Sequence, residues 1–340
     1  MRKLLGNTSK RKVKKRSETQ SPEKLRSPWL VGLKMPEIPV EDDPRVERQF
    51  SFYTENTVGR ETFQGMLFRC GSYRDMIQAT LVRYGLPADL WALVFAESSC
   101  VPTAQSPMGA AGLWQFIPSA ARAYHLRVID DVVDERLNPP KSTEAGVRYL
   151  RDMYEKLGQW DSVFASYNLG PFALMTRIEQ AGGDVGFWDL VDAEMLPDET
   201  ANYAPSIQAI ALILNNLQRL KFSTQTRPPQ LTSDLTVPPN TRLTLVARAA
   251  ATSVAQLHAL NLDIMGESTP NIADFAIQVP KDVVWQARDT LKDLLTRHDD
   301  DDLCVPNGFD WGRQRFTQEM AEACRRRTTA GPGAPPAPAP

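Results

Sequence analysis

Between about Val46 and Phe222 the apolar residues recur at helical spacing and rarely alternate as strand residues do. Val147, Leu150, Met153, Tyr154 and Leu157 fall on one helix face, and Ile207, Ile210, Ala211, Leu214 and Leu217 fall on another. Helices striped in this way must bury the stripe against one another. The segment is therefore predicted to be a compact, mainly α domain. Pro87 suits a first helical position and opens the run Asp89 to Ser99. Ser119 is expected to cap a helix over Ala120 to Tyr124, and Ser142 to cap the helix that carries Val147.

The flanks read differently. Residues 1–45 are polar, Pro-punctuated and basic at the start (Arg2, Lys3, Lys10, Arg11, Lys12, Lys14, Lys15, Arg16), and are expected to be disordered. Contact of this arm with an anionic surface or polymer stays open, but nucleic acid is not the expected partner. Residues 223–240 form a Pro/Ser/Thr-rich linker ending in a short strand, Leu235 to Val237. Residues 241–296 then read as helix (Leu243 to Ala251), helix (Val254 to Leu260) and a strand through Phe275, Ile277 and Val279 stopped by Pro280. Residues 297–340 are an acidic, then Pro-rich tail. The apolar runs fall short of the ~20 residues a membrane span needs, and the N-terminus lacks the apolar core of a signal peptide.

Glu97 carries the most chemistry. It stands near the end of an apolar helix with Leu93 and Val94 on its own face. Burial there would raise its pKa and keep it protonated near neutrality, as a general acid requires. The other reading is a helix-end glutamate turned to water. Asp130, Asp131, Asp134 and Glu135 follow in what reads as a solvated loop. Trp114, Phe116, Tyr124 and Trp160 read as core first and as sugar-stacking surface second. His125, His258 and His298 are scattered, the cysteines form no metal-type cluster, and neither a metal nor a cofactor is expected.

Glu97-Ser98, Gly112-Leu113-Trp114-Gln115 and Ser166-Tyr167-Asn168 occur in this order. The set resembles the family-1 lytic transglycosylases, the SLT-domain enzymes with a lysozyme-like (goose-type) fold, and most of all their membrane-bound D type. The resemblance spans roughly Tyr73 to Leu220. It implies that Glu97 protonates the bond between N-acetylmuramic acid and N-acetylglucosamine, then acts as base while the muramoyl C6 hydroxyl closes a 1,6-anhydro ring. It also implies that Ser98 bonds the substrate N-acetyl group, Gln115 lines the glycan groove, Tyr167 positions Glu97 and Asn168 contacts sugar. Tyr203, in Asn-Tyr-Ala-Pro, matches a family tyrosine near the carboxylate. Ordinary glycosidases use two carboxylates roughly 5–9.5 Å apart; a single one suffices when the nucleophile belongs to the substrate. A water-using hydrolase on the same fold and a non-catalytic glycan-binding protein stay as alternatives. The 241–296 segment resembles a degenerate LysM module, a small βααβ glycan-binding fold.

Of the 4 cysteines, Cys70 precedes one expected helix (Tyr73 to Tyr84) and Cys100 follows the next (Asp89 to Ser99). Antiparallel pairing of the two would bring these outer ends together, so a Cys70–Cys100 disulfide is expected, with free thiols as the alternative. A Cys304–Cys324 bridge is a further expectation. Disulfide and substrate both suggest a periplasmic or envelope location.

Overall fold

The computed structural model describes residue 13, residues 27–273 and residues 275–296. These fall into two compact units, one within residues 1–104, 113–115 and 142–228, the other within 105–112, 116–141 and 229–340. The expected Cys304–Cys324 bridge, His298 and the 297–340 tail lie outside the described residues.

The first unit is helical, as the periodicity predicts. Its elements are α1 (Pro44–Thr54), α2 (Thr57–Cys70), α3 (Arg74–Arg83) and α4 (Ala92–Ser98). A second group packs with them and leads to the long α10. It comprises most of α6 (Pro139–Leu157), α7 (Trp160–Leu169), α8 (Pro171–Ala181), α9 (Phe187–Asp192) and α10 (Asp198–Leu214). The short α5 (Pro118–Ala123) belongs to the second unit. Residues Ala209 to Ile213 of α10 are fully enclosed, and α1, α4 and α7 pack on this helix. Phe63, Phe95 and Phe222 form an aromatic cluster with centroids 5.8 and 5.2 Å apart. Each such side chain contributes roughly 1.5–3 kcal/mol by leaving water.

Several local expectations are corrected. Pro87 stands just before a 3-10 turn, Ala88–Trp91, rather than inside it. The α5 helix starts at Pro118 with Ile117 before it, so Ser119 is not its cap. The cap of α6 is Asn138, whose side chain accepts from the Lys141 amide at 3.1 Å, while Ser142 is buried inside the helix. In both cases a proline at the first helical turn moved the start back from the serine. Residues 27–43, expected to be disordered, instead lie along the helical unit. Ile38 is buried, Lys34 N donates to Asn216 Oδ1 (2.8 Å) and Glu41 N donates to Gln208 Oε1 (3.0 Å). Amides of an irregular segment find side-chain acceptors on α10 and the turn after it, where periodicity has nothing to register.

The second unit contains a small hairpin, β1 (Val128–Ile129) with β2 (Val133–Asp134), and the C-terminal module. In the module β3 (Thr232–Val237) pairs antiparallel with β4 (Phe275–Pro280), Leu235 opposite Ile277. Helices α11 (Leu243–Ala249) and α12 (Val254–Leu260) lie between the strands in sequence, and α13 (Val284–Thr296) follows them. The βααβ order is the one read from the sequence. Strand β3 begins three residues earlier than expected, because Thr232 to Asp234 continue the ladder. Asn261 is a buried latch: its amide donates to Leu257 O and Gln278 O (both 2.8 Å) and accepts from Gln278 N (2.6 Å). Glu135, expected in a solvated loop, is only 4% exposed and accepts from Arg127 N at 2.7 Å. Among the described residues no helix is long and apolar enough to cross a membrane.

Candidate functional site

Four stretches of the helical unit converge. Glu97 and Ser98 end α4, and the two residues after Ser98 turn left-handed, Ser99 at φ 50° and Cys100 at φ 58°. For residues with a Cβ that conformation costs roughly 1–2 kcal/mol each. It is held from outside. Cys70, the last residue of α2, is disulfide-bonded to Cys100 with Cα atoms 5.1 Å apart, and Arg69 Nε donates to Ser99 O at 3.1 Å. The reversal after Glu97 is thus pinned against a neighbouring helix.

Ser98 Oγ donates to Leu113 O (2.8 Å) and so ties the helix end to the Gly-Leu-Trp-Gln block. Trp114 is fully buried against Gly146, where an added Cβ would come within 2.4 Å of the indole, and its Nε1 donates to Thr143 Oγ1 at 3.0 Å. Trp114, Phe116 and Trp160 are core residues. Gln115 is left-handed at φ 46° and its Nε2 donates to Ala104 O at 3.1 Å. Tyr167 Oη donates to Trp114 O at 2.5 Å and meets the Tyr149 ring edge-on, centroids 5.1 Å apart. Ser166 is enclosed, and its carbonyl accepts from Tyr149 Oη at 3.2 Å.

Tyr203 on α10 donates a hydrogen bond to Glu97 Oε1. The resemblance gave the positioning of Glu97 to Tyr167; in the structure a phenol that holds the carboxyl group is Tyr203. Burial pushes the Glu97 pKa up from the ordinary 4.5 to about 7. The Tyr203 hydrogen bond acts against this, because it stabilises the carboxylate, and the negative charge of Glu199 adds to the rise. Tyr167 and Tyr203 are themselves held well above the ordinary phenol value, chiefly by burial and then by Glu97. They remain protonated donors at the pH where Glu97 titrates. The arrangement is an acid that gives up its proton near neutrality beside hydroxyls that do not.

Glu199 is the residue the sequence reading missed. Asn168 Nδ2 donates to Glu199 Oε1 (3.0 Å) and Asn168 Oδ1 accepts from Thr200 Oγ1 (2.7 Å). Both ends of the Asn168 amide are thereby fixed by α10. The available signal was spacing: Glu199 lies four residues before Tyr203 and so shares its helix face. Among the described residues no group of acidic, histidine or cysteine side chains could hold a metal ion.

The helical unit thus holds a carboxyl group whose pKa is raised to about 7 and which accepts a hydrogen bond from a phenol, an arrangement that can give and take a proton near neutral pH. Residues 75–186 match the family model for the Transglycosylase SLT domain. The membrane-bound lytic murein transglycosylase D of Escherichia coli K12 is 27% identical over 257 residues, covering 74% of this chain and 55% of that protein. The membrane-bound lytic murein transglycosylase F of Vibrio cholerae serotype O1 is 32% identical over 136 residues, or 40% of this chain and 23% of that one. The 70 kDa soluble lytic transglycosylase of Escherichia coli superimposes with a TM-score of 0.40 at 20% identity, covering 53% of this chain and 30% of that chain. The chain thus spans about half the length of the D-type relative and less of the others.

Proposed function

We propose that the chain is a peptidoglycan lytic transglycosylase with Glu97 as its acid/base. The observation that carries this is the half-buried Glu97 carboxyl group, raised by desolvation to a pKa of about 7 and held by Tyr203. In its protonated form Glu97 gives a proton to the glycosidic oxygen between N-acetylmuramic acid and N-acetylglucosamine as the C1–O bond breaks. The resulting carboxylate then takes the proton of the muramoyl C6 hydroxyl as that oxygen bonds C1. No water is consumed, and Glu97 ends the cycle protonated. Ser98 and Tyr167 hold the Gly-Leu-Trp-Gln block in place through Leu113 O and Trp114 O. Gln115 is the substrate-facing amide of this reading, while the Asn168 amide keeps the place that Glu199 and Thr200 give it. The disulfide and the substrate both fit work in the periplasm or envelope.

One observation favours hydrolysis as a second reading: a second carboxylate, Glu199, acts electrostatically on Glu97 and could serve to orient water. The products decide. Purified peptidoglycan digested with the protein should yield muropeptides lighter by one water than their hydrolytic counterparts. Reducing-end sugars alone would establish the hydrolase, and no released fragments would defeat both.

A further inference from the structure

The segment that runs from the Gly-Leu-Trp-Gln block to α6 is built into the same unit as the C-terminal module. Val133 is part of the module's apolar core and bridges to Ile264. Asp134 N donates to Asp263 O (2.8 Å) and Met265 N donates to Val132 O (3.2 Å). The Lys141 ammonium stands 2.9 Å from Glu135 Oε1, 3.1 Å from Asp263 Oδ2 and 4.7 Å from the centre of the Phe275 ring. Glu135 and Asp263 are buried at 4% and 1% exposure, so this one partly exposed ammonium serves a buried anion from each segment. Removing it would leave buried charge without that partner, which is far worse than never having placed it there.

The other end of the connection reaches the loop. Asp134 accepts from Arg136 Nε (2.9 Å) and Nη2 (2.7 Å), while Arg136 Nη1 donates to Gly109 O (2.6 Å) and Phe116 O (3.0 Å). Ala111 N donates to Phe116 O at 3.1 Å, which closes the loop's base. Gly112 sits at φ 84°, and a Cβ there would stand 1.8 Å from Arg136 O, so only glycine lets the two backbones come this close. Residues 113–115 are the three that the chain inserts between these clamped ends. Left-handed Gln115 is a strained conformation that persists only where its surroundings over-determine it.

We propose that the C-terminal βααβ module is a buttress for the 105–116 loop, with Lys141, Asp263 and Arg136 as positioning residues for the stretch that presents Gln115. The catalytic consequence rests on the transglycosylase reading; the bracing of the loop does not. The experiment uses the full chain, with the variants Lys141→Met, Lys141→Arg and Asp263→Asn. Amide hydrogen exchange is followed over residues 105–116 and over the module, and kcat and KM are measured on purified peptidoglycan. Lys141→Met is expected to speed exchange across 105–116 and to lower kcat about 10-fold or more, since a small misplacement near the reacting groups is enough. KM should stay within about twofold. Lys141→Arg should restore most of both losses, and Asp263→Asn, which keeps the side-chain shape, should reproduce the Lys141→Met pattern if that variant does not fold. The proposal is overturned if exchange over 105–116 stays at the parental rate in a folded Lys141→Met or Asp263→Asn chain. It is equally overturned if KM rises with kcat unchanged, which would make the module a glycan tether. A parent protein that releases nothing from peptidoglycan would sink the transglycosylase reading, while the exchange rates would still judge the buttress.

Discussion

The end of α4 and the C-terminal module handle buried polar groups in opposite ways. In the module, Asn261 is 2% exposed and uses both its amide donor and its carbonyl, and buried Thr241 gives its hydroxyl to Pro238 O at 2.7 Å. Both side chains are bonded where they stabilise the fold. At the end of α4, Glu97 is placed where its charged form is disfavoured, and two left-handed residues follow it. That strain is offset by a disulfide and by hydrogen bonds from other helices. The contrast separates a region shaped for stability from one that gives up stability for a proton at the right pH.

The sharpest way to break this contrast is Glu97→Gln. Turnover should fall about 10²–10⁴-fold from loss of the general acid alone. Stability should move the other way. The carboxyl group binds its proton more tightly folded (about 7) than at its ordinary 4.5. Its favourable contribution is therefore present below about pH 4.5 and is lost as pH rises through about 7. Above that, the parent bears a cost of about 3 kcal/mol, which glutamine removes. Denaturant melts at pH 8 should show the variant more stable, and a less stable variant would mean that Glu97 is not strained by burial. For the parent, kcat/KM should decline as pH passes about 7, because the acid form is consumed.

Next in size is the pin on the other side of the reversal. The Cys70–Cys100 bridge closes a loop of 30 residues, for which chain entropy gives about 3–4 kcal/mol. A Cys70→Ser, Cys100→Ser double variant should lose about that much in a thermal or urea melt. Activity at low temperature should fall as well, because Ser99 and Cys100 would be freer to leave the left-handed region. A variant with full stability and full activity would show that the strain is held by other contacts.

How much of this was legible beforehand differs between the same two regions. The module's strand, helix, helix, strand order could be read because Phe275, Ile277 and Val279 alternate, and because Leu243 to Ala251 and Val254 to Leu260 read as short helices. The helical class of the first unit was equally open, since its apolar periods are long. The convergence at Glu97 was not. Tyr203 lies 106 residues from Glu97, and only its place in a recognised motif suggested the meeting. Nothing local separated Glu135, buried against Lys141, from Asp130 and Asp131, which face solvent. The difference lies in which acid the chain encloses beside Arg127 and Lys141. The serines at 119 and 142 misled because a preceding proline began each helix earlier, after Ile117 without a side-chain cap in one case and after Asn138 as the cap in the other.

Within the module, Asn261→Ala should test whether the latch matters as its bonds imply. The Gln278 amide and carbonyl would lose their partner in a buried place, a cost of about 1–3 kcal/mol for each group left unsatisfied. Calorimetry should show the module's melting fall while the Glu97-dependent pH midpoint stays where it was. A shift of that midpoint would mean that the two regions are electrostatically less separate than their constructions suggest.

The smallest expected effect is the one that isolates a single charge. Glu199 faces Glu97 with the same sign and helps to raise its pKa, after burial and against the Tyr203 hydrogen bond. Glu199→Gln removes that repulsion but keeps an oxygen able to accept from Asn168. The descending limb of the kcat/KM profile should therefore move to lower pH, with the plateau rate on its acid side little changed. If the limb stays put and the plateau collapses instead, Glu199 handles substrate or water directly. The hydrolytic reading would then gain the second carboxylate it needs.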